Sequence, residues 1–307
     1  MVGIVILVFN SWNVTEECLN SLFVTNTYTN FHIYLVDNNS STGPSKKLES
    51  LVKSHSSQIT SITLDVNRGY NAGNNVGIKA ALSDNCNYIL ISNNDVYYQK
   101  TSIFELVKFL EENPQVGIVG PKILLPNQKV QDINMVIGTT LKGKYLYLLR
   151  KTPLKFLSNN YVDRFSKTIT DETKPFRVSS VSGACFMMSR KCAVEVTPFD
   201  EYPFLYEEEV ILGTITYKKR FLTVYNTESV VVHEHGASTG GLTGFAFTEF
   251  VRSEMYFCRK YLGSSSIKLF PLYVFRSIEF IIKTFRNSTY RGRVGKFFHR
   301  TIKVLVK

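Results

Sequence analysis

The chain has 307 residues, 44 % of them hydrophobic, which is enough for one large or two modest domains with a sizeable core. Its five cysteines (Cys18, Cys86, Cys185, Cys192, Cys258) are odd in number and lack CxxC spacing, which suggests neither a zinc knuckle nor a disulfide framework and fits a reducing, cytoplasmic compartment. The net charge of +11 sits at one end: residues 1–251 hold 23 Lys/Arg and 23 Asp/Glu, whereas residues 252–307 hold 13 and 2.

Residues 1–10 form an apolar run without a positive leader, too short for a signal peptide, and predict a buried parallel strand. Helical apolar spacing follows at 13–23, a strand at 31–36, and a helix at 44–52 with Pro44 near its start. A third strand is expected at 59–64, a helix at 71–82, a fourth strand at 88–91 and a helix at 103–111. This alternation predicts an α/β fold, a mainly parallel sheet with helices on its faces and ligands beyond the strands' carboxyl ends. Strands are expected at 116–125, 130–137 and 178–189, with a polar, aromatic and basic mobile insertion at 142–175. A short helix at 208–217, a strand at 229–235 and a helix at 245–261 complete the body. No run of about 18 uncharged apolar residues occurs, so no spanning helix is expected.

Polar clusters stand at the predicted strand ends. Asn93, Asn94 and Asp95 could hold Mg²⁺ or Mn²⁺ beside a diphosphate, or form a polar turn. Asn67, Gly69, Asn71, Gly73, Asn74, Asn75 and Gly77 lie where a strand gives way to a helix; they fit a phosphate-binding helix start or a Gly/Asn turn. Asp37 could accept hydrogen bonds from a ribose or base, or cap an Asx turn. Glu207, Glu208 and Glu209 open a helix, where the dipole favours acids, and one of them could take a proton from a sugar hydroxyl. His233 and His235 fall on one face of a strand.

In this order the segments resemble the inverting family 2 glycosyltransferases of the GT-A (Rossmann-like) fold, with a bacterial rhamnosyltransferase-like subgroup nearest. The resemblance covers about residues 2–240. It is carried by Val5 to Asn10 with Asp37 to Ser40, by the 67–75 loop and by Asn93 to Asp95. Ser182 to Phe186, Phe199 to Glu201 with Phe204 to Glu209, and His233 with Ser238 complete it. It implies that Asp95 is the last Asp of the metal-binding DxD motif and that His233, 24 positions after Glu209, completes the metal site. It implies a nucleoside held by Phe9, Asn10, Asp37 and Asn67, with Asn39, Gly69, Asn74, Asn75, Asn93 and Asn94 around the donor. Glu208 and Glu209 match the family's Glu-Asp pair, whose second member is the general base. The chain departs from the pattern with one carboxylate in Asn93-Asn94-Asp95, a Glu-Glu pair, and Val210, Ile211, Leu212 and Gly213 where an acidic and arginine helix start is usual.

The expected partition is a nucleotide-sugar half at 1–100, an acceptor-binding and catalytic half at 101–262, and a basic, aromatic tail at 263–307. The expected activity is metal-dependent, inverting transfer from a UDP- or dTDP-sugar to a polysaccharide or lipid-linked glycan. A nucleotidyltransferase acting on sugar phosphates, or an inactive sugar-nucleotide-binding relative, are the alternatives. Interleaved apolar and basic residues in the tail predict a helix on the anionic inner face of the cell membrane. The same apolar face could instead pack on the catalytic domain or on a second copy in a homodimer. A neutral body without nucleic-acid signatures argues against a nucleic-acid partner.

Overall fold

A computed structural model describes the chain except for residues 133–134, 151, 167–173, 235–242 and 307. The first half runs β1 (Val2–Val8), α1 (Trp12–Asn20), β2 (Phe31–Asp37), α2 (Lys46–Ser54), β3 (Ile59–Thr63) and α3 (Tyr70–Ser83). It continues through β4 (Tyr88–Asn93), β5 (Val96–Tyr98), α4 (Ser102–Glu112) and β6 (Val116–Leu124). Next come α5 (Leu141–Leu149), α6 (Asn159–Phe165), β7 (Phe176–Val178), β8 (Cys185–Ser189), α7 (Arg190–Val196), α8 (Glu208–Lys218) and β9 (Leu222–His233). The chain ends with α9 (Gly244–Lys260), α10 (Ser266–Arg286), α11 (Ser288–Arg291) and α12 (Val294–Val306).

The strands form one mixed sheet in the order β3-β2-β1-β4-β8-β6-β9-β5, with β7 also paired to β9. β1 to β4 are parallel, β8 runs against both β4 and β6, and β6 is parallel to β9. The carboxyl ends of β4 and β9 and the amino end of β8 therefore share one edge.

Period-two alternation sorts the strands onto two cores. Val2, Ile4, Ile6 and Val8 of β1 join Leu19, Leu48 and Leu106 of α1, α2 and α4 on one face. Val5 joins Ile78, Ala193 and Leu212 of α3, α7 and α8 on the other. The helix α3 lies close because Gly73 and Gly77 face the strand: a Cβ there would sit 2.5 Å from Leu7 and 2.4 Å from Val5. A third core joins α9, α10 and α12 to Leu148 of α5 and Ile211 of α8.

At three places the local structure differs from expectation. Within 142–175, expected as a mobile insertion without a clear period, the described residues include the helices α5 and α6. Of the strand expected at 130–137, the described residues show a single bridge between Val130 and Leu124. The strand expected at 178–189 is two, β7 and β8, with a loop between them.

Candidate active site

The antiparallel pairing of β5 with β9 sets Val96 opposite His233. The preceding residue, Asp95, thereby reaches the histidine: its Oδ1 lies 3.1 Å from His233 Nε2. Both are buried at the sheet edge. His235 and Ser238 lie outside the described residues.

The neighbouring strand brings in the glutamates. The Asn93 amide donates to the Ala184 carbonyl at 2.8 Å, extending the β4–β8 ladder beyond Ser92 and Cys185. One residue earlier, the Gly183 amide donates to Glu209 Oε1 at 3.2 Å, and Ser180 Oγ donates to the Glu209 carbonyl at 2.8 Å. Two short steps along the backbone thus link the Asp95 corner to Glu209. The Tyr70 hydroxyl donates to the Gly183 carbonyl at 2.5 Å and ties the start of α3 to the same loop.

The glutamates differ in surroundings. Glu207 caps α8 in the left-handed region (φ 66°) and pairs with Lys144 Nζ at 2.5 Å. Glu208 faces an almost filled apolar space of about 20 Å³, and its Oε2 has no hydrogen-bond partner among the described residues. Burial, and then the adjacent Glu209, push its pKa well above the usual carboxylate range. Glu209 lines that space too, but also a cavity of about 140 Å³ with Ser182 and Asp132. Burial raises its pKa as well, against amide hydrogen bonds that favour the anion. Of the two, Glu209 has room beside it for a substrate group.

The residues expected around the donor divide in two. Phe9 is exposed, and Asn10 and Asn39 adopt positive φ in the loops that end β1 and β2. Asn10 Oδ1 accepts from the Ser41 amide at 2.7 Å, and Asp37 Oδ1 accepts from the Ser40 amide at 2.9 Å, so these two loops are tied together. Asn67 Oδ1 accepts from Asn38 Nδ2 and the Gly69 amide. Gly69 has φ 82°, and a Cβ there would stand 2.7 Å from the Phe204 carbonyl oxygen, so glycine is required on both counts. Asn93 ends β4, half-buried.

Asn74, Asn75 and Asn94 are buried and hydrogen-bonded to the protein's own framework. Asn75 clamps the Phe199 backbone from both sides, accepting from its amide at 2.7 Å and donating to its carbonyl at 2.9 Å. Asn94 Nδ2 donates to Ser11 and Thr15 at the start of α1. Asn74 is fully buried and donates to the Tyr70 carbonyl. Sequence reasoning missed Lys144, Tyr70 and Asp132. Lys144 lies 63 positions from Glu207 in a stretch without period, so no local signal marks it.

The description "Glycosyl transferase family 2" matches residues 3–196, more than half of the chain. The chain belongs to glycosyl transferase family 2. The match ends before α8, so Glu208, Glu209 and His233 of this family 2 protein lie beyond it. A relative in Mycobacterium tuberculosis, N-acetylglucosaminyl-diphospho-decaprenol L-rhamnosyltransferase, is 28 % identical over 153 residues, 50 % of this chain and 48 % of that protein. The O-antigen biosynthesis protein RfbC of Myxococcus xanthus is 25 % identical over 227 residues, 74 % of this chain and 16 % of that one. The chain thus spans about half or less of the length of these curated relatives. The solved structure of GalNAc-T7 with UDP, GalNAc and Mn²⁺ superposes with a TM-score of 0.61 at 14 % identity, over 85 % of this chain and 48 % of that one. TarS 1-349 of S. aureus in complex with UDP-GlcNAc gives 0.54 at 16 %, over 85 % and 67 %. At these identities the likeness is one of fold, the expected GT-A arrangement.

Proposed function

We propose that this family 2 glycosyltransferase moves a sugar from a UDP- or dTDP-sugar to a hydroxyl of a polysaccharide or lipid-linked glycan, with inversion and with Mg²⁺ or Mn²⁺. The observation that carries this reading is the buried Asp95–His233 pair, linked through the Asn93–Ala184 and Gly183–Glu209 hydrogen bonds to the buried carboxylate of Glu209.

One carboxylate and one imidazole fit an ion that completes its shell with diphosphate oxygens and water, as these ions commonly do. No group of three or more candidate ligands occurs among the described residues, so the substrate's own oxygens would be needed. When bound, such an ion offsets charge growing on the departing diphosphate. Glu209 accepts the proton of the acceptor hydroxyl while that oxygen bonds to the anomeric carbon. The bond from that carbon to the diphosphate oxygen breaks, and its electron pair leaves with the nucleoside diphosphate.

A lipid-linked acceptor is favoured by the Mycobacterium tuberculosis relative, whose name includes a diphospho-decaprenol. It is also favoured by α10, whose Ile267, Phe270, Val274, Ile278, Ile282 and Phe285 form one exposed apolar stripe flanked by Lys268 and Arg286. No helix among the described residues is long and apolar enough to cross a membrane. On this reading the protein lies on the cytoplasmic face, with α10 in the interface and its cations at anionic headgroups.

The test is a transfer assay with UDP- and dTDP-sugars, with the anomeric configuration of the product assigned by NMR. Asp95→Ala is expected to abolish transfer while the far-UV spectrum is kept. Near-wild-type transfer by this variant would remove the metal assignment. A retained configuration would rule out the single displacement and point to Asp132, the other carboxylate on the cavity, as a nucleophile.

A further inference from the structure

Helices α9 and α12 turn rows of like charge towards each other. On α9, Arg252, Arg259 and Lys260 share one side of the helix. On α12, Lys296, His299, Arg300 and Lys303 recur at helical spacing. All of them line a cleft of about 990 Å³, with Arg293 at its end.

Little on the protein offsets this charge. Among the described residues Glu249 is the one acid on the cleft wall; it is fully buried and shared between Arg252 at 2.6 Å and Arg300 at 2.8 Å. Lys260 is paired with Asp200 at 2.8 Å. Arg259 donates to the Ser266 hydroxyl and the Leu305 carbonyl, both neutral. For Arg259, Arg293, Lys296 and Lys303, no carboxylate lies within ion-pair distance among the described residues. Like charges facing one cleft weaken the fold, and clefts lined by one sign focus the field on an incoming counter-ion. Such a cost is characteristic of sites kept for a ligand.

The wall is also pre-arranged. Arg252 lies over the Tyr202 ring at 4.4 Å, Arg293 over Phe245 at 5.2 Å, and Tyr202 stacks on Tyr256 at 3.8 Å. Guanidinium groups fixed in this way present forked donors that match phosphate oxygens. The cleft abuts the catalytic side, because Phe245 packs on Phe204, whose carbonyl accepts from the Tyr70 amide.

We infer that the cleft between α9 and α12 is a second anion site, separate from the Asp95–His233 pair, and that it takes a diphosphate or similarly charged phosphate group. Its source is either a lipid headgroup or a soluble phosphate, which share this chemistry.

The experiment is pyrophosphate binding by calorimetry to the full chain in EDTA, which removes any metal-dependent binding near Asp95. Wild-type protein is expected to bind, more weakly as salt rises, and Lys296→Gln/Lys303→Gln to bind about tenfold or more weakly. Lys296→Arg/Lys303→Arg should bind as wild type does, and the glutamine pair should melt no lower than wild type in the absence of anion. Displacement of pyrophosphate by vesicles carrying a lipid diphosphate, but not by phosphatidylcholine vesicles, would assign the lipid source. Displacement by soluble phosphates alone would assign the other, and both outcomes keep the site. No pyrophosphate binding in EDTA, equal binding by the glutamine pair, or tighter binding of a single-stranded oligonucleotide lost in that pair would overturn it.

Discussion

On the flank of the site built from the ends of β1, β2 and β4, buried segments are joined by neutral amides, whereas on the flank of α8 they are joined by charges. Asn75 clamps Phe199, Asn38 bridges Asn67 and Gly69, and Asn94 holds Ser11 and Thr15. Across the site, Glu207 pairs with Lys144; Lys144 lies 3.6 Å from Glu254; and Glu254 takes a bidentate pair from Arg276 at 2.7 and 2.9 Å. Amide clamps make the same bonds at any ordinary pH. A charged frame holds only while each member keeps its ionisation and its partner, since a buried charge left alone is costly. The lesson is that the amide-clamped flank is built from bonds that do not titrate, while the start of α8, which carries Glu208 and Glu209, is held by groups that do.

The largest way to break this contrast is at Glu209. Glu209→Gln keeps the size and removes the proton acceptor, so turnover should fall by roughly two to four orders of magnitude with donor binding kept. Glu208→Gln should cost less, because Glu208 faces the filled apolar space. A larger loss at Glu208 would reverse the assignment. Because burial raises the Glu209 pKa, activity should climb with pH through a value above the ordinary carboxylate range as the base loses its proton. That rising limb should vanish in Glu209→Gln. The stability signs oppose one another. Glu208 and Glu209, with raised folded values, contribute stability that is full below their unfolded pKa and is lost as pH rises through the folded value. For Glu254, burial pushes upward, but Arg276 and Lys144 outweigh it and the net shift is downward. Its contribution is present above the unfolded value and is lost as pH falls through the folded one.

The same contrast explains what was legible beforehand. The parallel strands were legible because fully buried strands read as unbroken apolar runs, as in β1, and the polar clusters at their ends marked the sheet edge. Asp95, His233, Glu208 and Glu209 were placed by motif order, and the fold brings Asp95 beside His233. The backbone clamp made by Asn75 was not legible, because an asparagine that grips a backbone 124 positions away looks the same in sequence as one that grips a ligand. Nor were α5 and α6, whose place is fixed by tertiary pairs such as Lys144 with Glu207 rather than by a clean apolar period. The three-residue β5 was too short to read, though its pairing with β9 is what delivers His233.

A second way to sharpen the comparison is to remove the cation that joins the charged frame. Lys144→Met leaves Glu207 without its partner and takes one neighbour from Glu254. The expected loss is about 3–5 kcal/mol at neutral pH by urea denaturation. Burial already raises the Glu207 pKa, so in the variant this carboxyl can escape by taking a proton. The deficit should therefore shrink as pH falls. Adding Glu207→Gln should recover most of the loss, because the stranded charge is gone. Equal stability of Lys144→Met and wild type at neutral pH would show that the frame does not hold α8.

The smallest expected effect lies on the outer face of the charged flank. Helix α10 buries Leu269, Leu272, Tyr273, Arg276 and Phe280 in the third core and leaves Ile267, Phe270, Ile278, Ile282 and Phe285 exposed. Deleting residues 264–307 would strip that core, so loss of membrane binding by a truncated chain would report unfolding as readily as a lost anchor. Single substitutions on the outer face avoid this. Phe270→Ser and Phe285→Ser remove 56 % and 76 % exposed rings, so neither should lower the melting temperature. If α10 lies in a membrane interface, each should weaken co-sedimentation with anionic vesicles by about 1–2 kcal/mol, somewhat below full burial of a phenyl ring. High salt should weaken binding further by screening Lys268 and Arg286. Undiminished vesicle binding by both variants would remove α10 as the membrane face. A wild-type dimer that becomes a monomer in these variants, with no change on vesicles, would instead make this stripe the contact with a second copy of the chain.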